Sequence, residues 1–185
     1  MPGDDELYRQ FLDGDNRSYE ELMIRYGDSL TVYLNGYLHN WQDAEDLMIE
    51  AFARVMVKRP VLRVTNGFKA YLYKTARHLA ARFHDRKTRV QEFSFDEMGE
   101  EGLEHWLAAG REPDGEREQI LHLCLGRIDP ELKEAIWLVY LEEMSYKEAA
   151  QVMGVTAKRI DKLLARGKTH LRRELEKEGL THAHV

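Results

Sequence analysis

Residues Ser145 to Gly167 read SYKEAAQVMGVTAKRIDKLLARG. Ser145 followed three residues later by Glu148 fits a capping box at a helix start. The helix written YKEAAQVM stops at Gly154, a residue free to take the left-handed conformation that ends many helices. Thr156 then caps a second helix. A short helix, a tight glycine turn and a second helix are the parts of a helix-turn-helix. On the second helix Ile160, Leu163, Leu164, Gly167 and Leu171 share one face. Lys158, Arg159, Lys162, Arg166 and Arg173 fall on the opposite face. An apolar inner face backed by a cationic outer one suits a helix lying in a major groove. The same stripe fits a solvated helix on an ordinary bundle, so the segment alone names no partner.

Working outward, the rest of the chain is also helical in pattern. It has 185 residues, 43% hydrophobic and 32% charged, a balance that fits a globular protein and not a disordered one. Four prolines leave room for long helices, and no strand-like alternation runs for any length. Helices are predicted over DDELYRQFLDG, over Ser18 to Leu38, from Trp41 to just before Pro60, and from Gly67 to Lys87. A glycine-bearing acidic stretch follows, and a second helical unit begins near Glu116. It breaks at RIDPE, where Pro130 suits the first turn of a new helix. The expectation is an all-α chain of two small helical domains: 1–90, an acidic linker over 91–115, and 116–185 with the helix-turn-helix.

The formal net charge is −6, which by itself argues against nucleic acid, but its distribution does not. Residues 1–53 hold three basic residues against twelve acids. Residues 54–90 hold eleven basic residues and one acid, Asp85. Residues 91–118 return to ten acids against Arg111 and Arg117. Lys158 to Arg173 holds seven basic residues and only Asp161 as an acid. Two cationic blocks are thus set apart by acidic ones, whereas a plain solvated surface intersperses the signs.

Catalytic and metal chemistry are not expected. There is no phosphate-cradling glycine loop and no HExxH. The one cysteine, Cys124, lies in an apolar helical run and is read as a buried small hydrophobe. His182 and His184 form the one tight histidine pair, at the tail. No cofactor is implied. No apolar run is long enough to span a membrane, and MPGDDELY does not read as a signal peptide, so the expected location is cytoplasmic.

The ordered run LGRIDPELKEAIWLVYLEEMSYKEAAQVMGVTAKRIDKLLARGKTHLRREL resembles the C-terminal promoter-reading domain of bacterial sigma factors of the extracytoplasmic-function group. The shared features are a proline after a short helix, an apolar helix, S-Y-x-E-x-A, and a basic helix finishing L-R-x-x-L. WQDAEDLMIEAFARVMVKRP resembles that family's first domain, through Asp43, Ala44, Glu45, Asp46, Leu47, Glu50 and Phe52; Ile49 stands where the family usually has glutamine. In projection Asp43, Asp46 and Glu50 form an acidic stripe beside Arg54, and most of the remaining circumference is apolar. In the family this segment docks on RNA polymerase, which makes Asp43, Asp46, Leu47 and Glu50 the candidate polymerase contacts. A solvated edge on a core helix is the plainer reading.

NGFKAYLYKTARHLAARFHDRKTR resembles the following family segment, which melts and reads the upstream promoter element. Phe68, Leu72, Ala76, Leu79 and Phe83 form its inward stripe. Tyr71, Lys74, His78 and Arg82 share another face, with Arg77 nearby. Rings interleaved with cations suit an unpaired strand, because cations neutralise phosphates and rings stack on bases. The loop before this helix corresponds to the family's receiver of a flipped-out base, with Arg63 and Asn66 as candidate pocket residues.

The resemblance implies promoter DNA and core RNA polymerase as partners, no membrane insertion, and an anti-sigma protein as a partner of many members. Lys158, Arg159, Lys162 and Arg166 would read the distal element. The acidic linker would thread into a polymerase channel or act as a solvating tether. Tyr71 replaces a usual tryptophan, His78 a usual asparagine, and RIDKL replaces a usual T-V-K-S-R, which puts the promoter sequence in doubt. The rivals are a helix-turn-helix regulator that binds duplex DNA without polymerase, and a helical interaction protein with no nucleic-acid role.

Overall fold

The computed structural model describes residues 2–62, 67–87, 120 and 123–179, and no strand occurs among them. The N-terminal unit is built from α1 (Asp4–Leu12), α2 (Asn16–Leu38), α3 (Trp41–Lys58) and α4 (Gly67–Lys87). The C-terminal unit has α5 (Pro130–Ile136), which continues as a π-helical turn over Trp137–Leu141, then α6 (Tyr146–Met153) and α7 (Ala157–Lys177). The acidic linker, most of the predicted helix near Glu116, and the His182–His184 pair lie outside the described residues.

Local sequence sets most boundaries. Asp15 opens α2 by accepting from the Arg17 N–H, and Asn40 opens α3 by accepting from the Asp43 N–H at 2.9 Å. Asp129 does the same for α5, with Pro130 in its first turn. Both halves of the capping box form at α6: Glu148 N–H to Ser145 Oγ, and Ser145 N–H to Glu148 Oε2 at 2.7 Å. Gly154 ends α6 at φ 69°, and Thr156 caps α7.

An aromatic cluster fills the N-terminal unit: Phe11, Tyr19, Phe52 and Phe68 are each at most 3% exposed. The Tyr19 hydroxyl donates to the Phe52 carbonyl at 2.6 Å, so the polar end of a buried ring is satisfied. In the C-terminal unit the predicted stripe of α7 is buried against α5. The close approach needs Gly167, where an added Cβ would lie 2.9 Å from Ile136 Cδ1.

Helix α4 is buried on more than the one side its stripe predicts. Phe68, Leu72, Ala76 and Leu79 are buried as expected, but Ala70, Tyr73 and Ala80 are buried as well. α4 packs against α2 and α3 and also against α6 of the other unit. Both helices bury small residues, Ala70 and Ala80 on α4 and Ala149 and Ala150 on α6, and small residues allow helices to approach closely. The two units therefore lie against one another.

Candidate nucleic-acid interface

On α7, Lys158, Arg159, Lys162, Arg166 and Arg173 are all exposed, on the side away from Ile160, Leu163 and Leu164. Arg159 is held by Glu131 of α5 at 2.7 Å, with both side chains more than two-fifths exposed. Such a pair is weak in water and gives way to a phosphate. Lys168 lies with its ammonium 4.9 Å from the Tyr140 ring centre. The sequence-predicted cations of this helix thus form one surface.

The second surface lies between α3 and α4. A groove of about 660 Å³ is lined by Arg54, Lys58, Tyr71, Lys74, His78 and Arg82, among others. Residues from both α3 and α4 face it, the acid Glu50 of α3 among them, and Tyr71 offers a half-buried ring. Partial burial, then the charges of Lys74, Arg77 and Arg82, hold the His78 imidazole below its ordinary range. His78 is therefore neutral near pH 7.

Arg77 does not share this groove's chemistry. Its guanidinium turns to the joint between the units, where Nε donates to Glu134 Oε1 of α5 at 2.9 Å and to the Tyr37 hydroxyl of α2 at 3.1 Å. Burial opposes its charge, but the facing Glu134 carboxylate outweighs that and raises its pKa. Arg63 and Asn66 lie outside the described residues.

The candidate polymerase face of α3 divides in two. Asp46 and Glu50 are exposed, Asp43 is half-buried, and Glu50 is paired with Arg54 at 2.6 Å. Leu47 is 5% exposed and packs in the core, so its side chain presents nothing to a partner. The expectation that Leu47 is a contact is corrected on that ground: it belongs with Ala44, Ala51 and Val55 on the inward face. Ile49 is 54% exposed, and Met56 and Val57 stand out beside it. Ile49 thus offers exposed hydrocarbon beside the acidic stripe, and the excess of apolar residues around α3 was its signal in the sequence.

Sequence reasoning missed Lys69, Tyr33, Tyr37, Glu134 and Glu142 altogether. The two glutamates are each 3% exposed. In a sequence they are indistinguishable from surface helix residues, because burial of a charge depends on a partner far along the chain. Among the described residues, no helix is long and apolar enough to cross a membrane.

The two units correspond to two known regions. Residues 22–90 match the family described as Sigma-70 region 2, and residues 118–171 match Sigma-70, region 4. The RNA polymerase sigma-H factor of Pseudomonas aeruginosa is 25% identical over 163 residues, covering 81% of this chain and 82% of that protein. The ECF RNA polymerase sigma factor SigW of Bacillus subtilis is 23% identical over 175 residues, covering 90% and 94%. Among solved structures, CnrH in complex with the cytosolic domain of CnrY is similar in fold, with a TM-score of 0.59 at 22% identity over 92% of this chain and 96% of that one. Units that match regions 2 and 4 in this order, with relatives that are RNA polymerase sigma factors, mark a transcription initiation factor. The chain belongs to the sigma-70 family, in its extracytoplasmic-function group.

Proposed function

We propose a division of labour for this sigma factor in transcription initiation. The outer face of α3, with Asp43, Asp46, Ile49 and Glu50, docks core RNA polymerase. The α3–α4 groove, through Tyr71, Lys74, His78 and Arg82, takes a strand of the upstream element once the duplex opens. Lys158, Arg159, Lys162 and Arg166 of α7 read the distal element as duplex. The polymerase carries out the chemistry, and the chain catalyses no step itself. The role places the chain in the cytoplasm with its partners, and the family resemblance adds an anti-sigma protein as a third partner.

One observation carries this reading. Exposed cations are concentrated on two separate packed units, each of which matches its own sigma-70 region. An acidic chain is poorly suited to hold free duplex DNA by charge alone, which supports polymerase-dependent reading. The test is size-exclusion chromatography of the chain with core RNA polymerase. The wild type co-elutes, and a folded Asp46→Arg variant does so less. A wild type that stays apart from core polymerase, yet binds duplex DNA tightly alone, would instead favour the polymerase-independent regulator.

A further inference from the structure

The outward surface of α7 is cationic with one exception. Asp161, the fifth residue of the helix, is exposed among Lys158, Arg159 and Lys162, and it is the one acid between Lys158 and Arg173. Among the described residues no ion pair or side-chain hydrogen bond engages its carboxylate, although Lys158 stands one turn before it and Lys162 beside it. Arg159, by contrast, is paired with Glu131 of α5. The Asp161 carboxylate is therefore open to whatever α7 meets.

Helical spacing sets Ala157, Asp161 and Ala165 in one row, next to the row of Lys158, Lys162 and Arg166. Ala165 is exposed and Ala157 half-buried. This row is short. An aspartate reaches less far than a lysine, so it touches a base edge only where the helix backbone comes close. Alanine one turn to either side leaves room for that approach. The first turns of a helix lying in the major groove are the part set against base edges.

Charge then decides what Asp161 can face. Phosphates repel a carboxylate, so it gains nothing from the backbone of the duplex. It can only accept hydrogen bonds, and the donors of the major groove are cytosine N4 and adenine N6. Guanine offers two acceptors there, and thymine an acceptor and a methyl group. Adenine also sets its N7 acceptor beside the amine, against the second carboxylate oxygen, whereas cytosine sets a C–H there. Cytosine is the base that fits. Its guanine partner offers O6 and N7 to a donor, and Lys158 and Lys162 stand next to Asp161 for that.

We infer that Asp161 is a specificity-determining residue for the distal element. Its carboxylate accepts from the N4 amine of a cytosine in the major groove, and the element therefore requires a C·G pair opposite it. This deepens the proposed function and rests on it for the docking of α7 on duplex DNA.

The test lets the full chain bound to core RNA polymerase select duplexes that carry a randomised distal segment, and the bound pool is sequenced. Wild type, Asp161→Asn and Asp161→Ala are compared. The wild type fixes a cytosine at one position, and replacing that C·G pair by T·A weakens binding by about fivefold or more. Asp161→Asn moves the preference toward adenine at that position and no other, because an amide both accepts from N6 and donates to N7. Asp161→Ala flattens the preference there to under about twofold, and it binds the T·A duplex more tightly than the wild type does, since the repulsion is gone. Glu176→Gln removes a charge from the far end of α7 and leaves the selected element unchanged. All three variants change exposed side chains, so circular dichroism and melting match the wild type. Asp161 variants that select the wild-type element overturn the inference and leave the proposed function standing. So does a shift at a position where the wild type does not fix cytosine, or an equal shift at every position. A wild type that co-elutes with core polymerase yet selects no distal element refutes reading by α7 itself, and the role of Asp161 falls with it.

Discussion

Leu47 and Ile49 are two residues apart on α3, and opposite outcomes are expected from changing them. Leu47 is 5% exposed and surrounded by core, whereas Ile49 is 54% exposed. Leu47→Ala removes buried methyl groups that the neighbours cannot fully replace, a loss of about 2–5 kcal/mol in unfolding free energy. Ile49→Ala removes a side chain already half in water, so the change in stability stays within about 0.5 kcal/mol. Docking is expected to reverse the ranking. Complete burial of an isoleucine contributes about 1.5–3 kcal/mol, and roughly half of that remains to be gained when a partner covers Ile49. Ile49→Ala should therefore weaken binding to core RNA polymerase by roughly fivefold. Ile49→Glu should weaken it by about a hundredfold or more, because a carboxylate must then be desolvated. Urea unfolding followed by circular dichroism measures the first quantity, and fluorescence anisotropy of a labelled chain titrated with core polymerase measures the second. The folded fraction of Leu47→Ala should bind as the wild type does. An Ile49→Glu variant with wild-type affinity, or a Leu47→Ala variant with wild-type stability, would refute the division of α3 into a core face and a docking face.

Three further outcomes are expected. Ser145→Ala removes the side-chain half of the capping box on α6 and should lower the stability of the C-terminal unit by about 1 kcal/mol, seen as a shifted urea midpoint with unchanged slope. Lys162→Glu with Arg166→Glu changes two exposed side chains of α7, so helicity and melting should hold while promoter-dependent transcription by the reconstituted polymerase is lost. His78 titrates below its ordinary value of about 6.5 in the folded chain, so the charged form is disfavoured there and stability is lost as pH falls from about 6.5 toward the lower folded-state value. A bound strand brings phosphates that raise that pKa, so strand affinity should increase as pH falls over the window between the free and bound values. His78→Asn should flatten the pH dependence, measured by anisotropy with a labelled oligonucleotide.

The sequence by itself determined the elements and much of the cationic surface. Caps, glycine stops and helical stripes are local: Ser145 with Glu148, Gly154 and Thr156 act within a few residues, and so the boundaries of α6 and α7 could be read without the fold. The outward cations of α7 followed from the same period, because a single apolar stripe leaves one opposite face. The family resemblance rested on these same ordered motifs. For α3 the period gave no single answer. Apolar residues surround that helix, and only its packing shows that Leu47 turns in and Ile49 turns out. The fate of Arg77 was still less accessible. Its neighbours Lys74 and His78 look alike in sequence, yet it leaves their groove for Glu134, fifty-seven residues away. Tertiary structure alone decided this, since burying Glu134 is tolerable only where Tyr33, Tyr37 and Arg77 converge on it. The energy of a buried charge depends on the donors around it, and those donors come from helices distant along the chain.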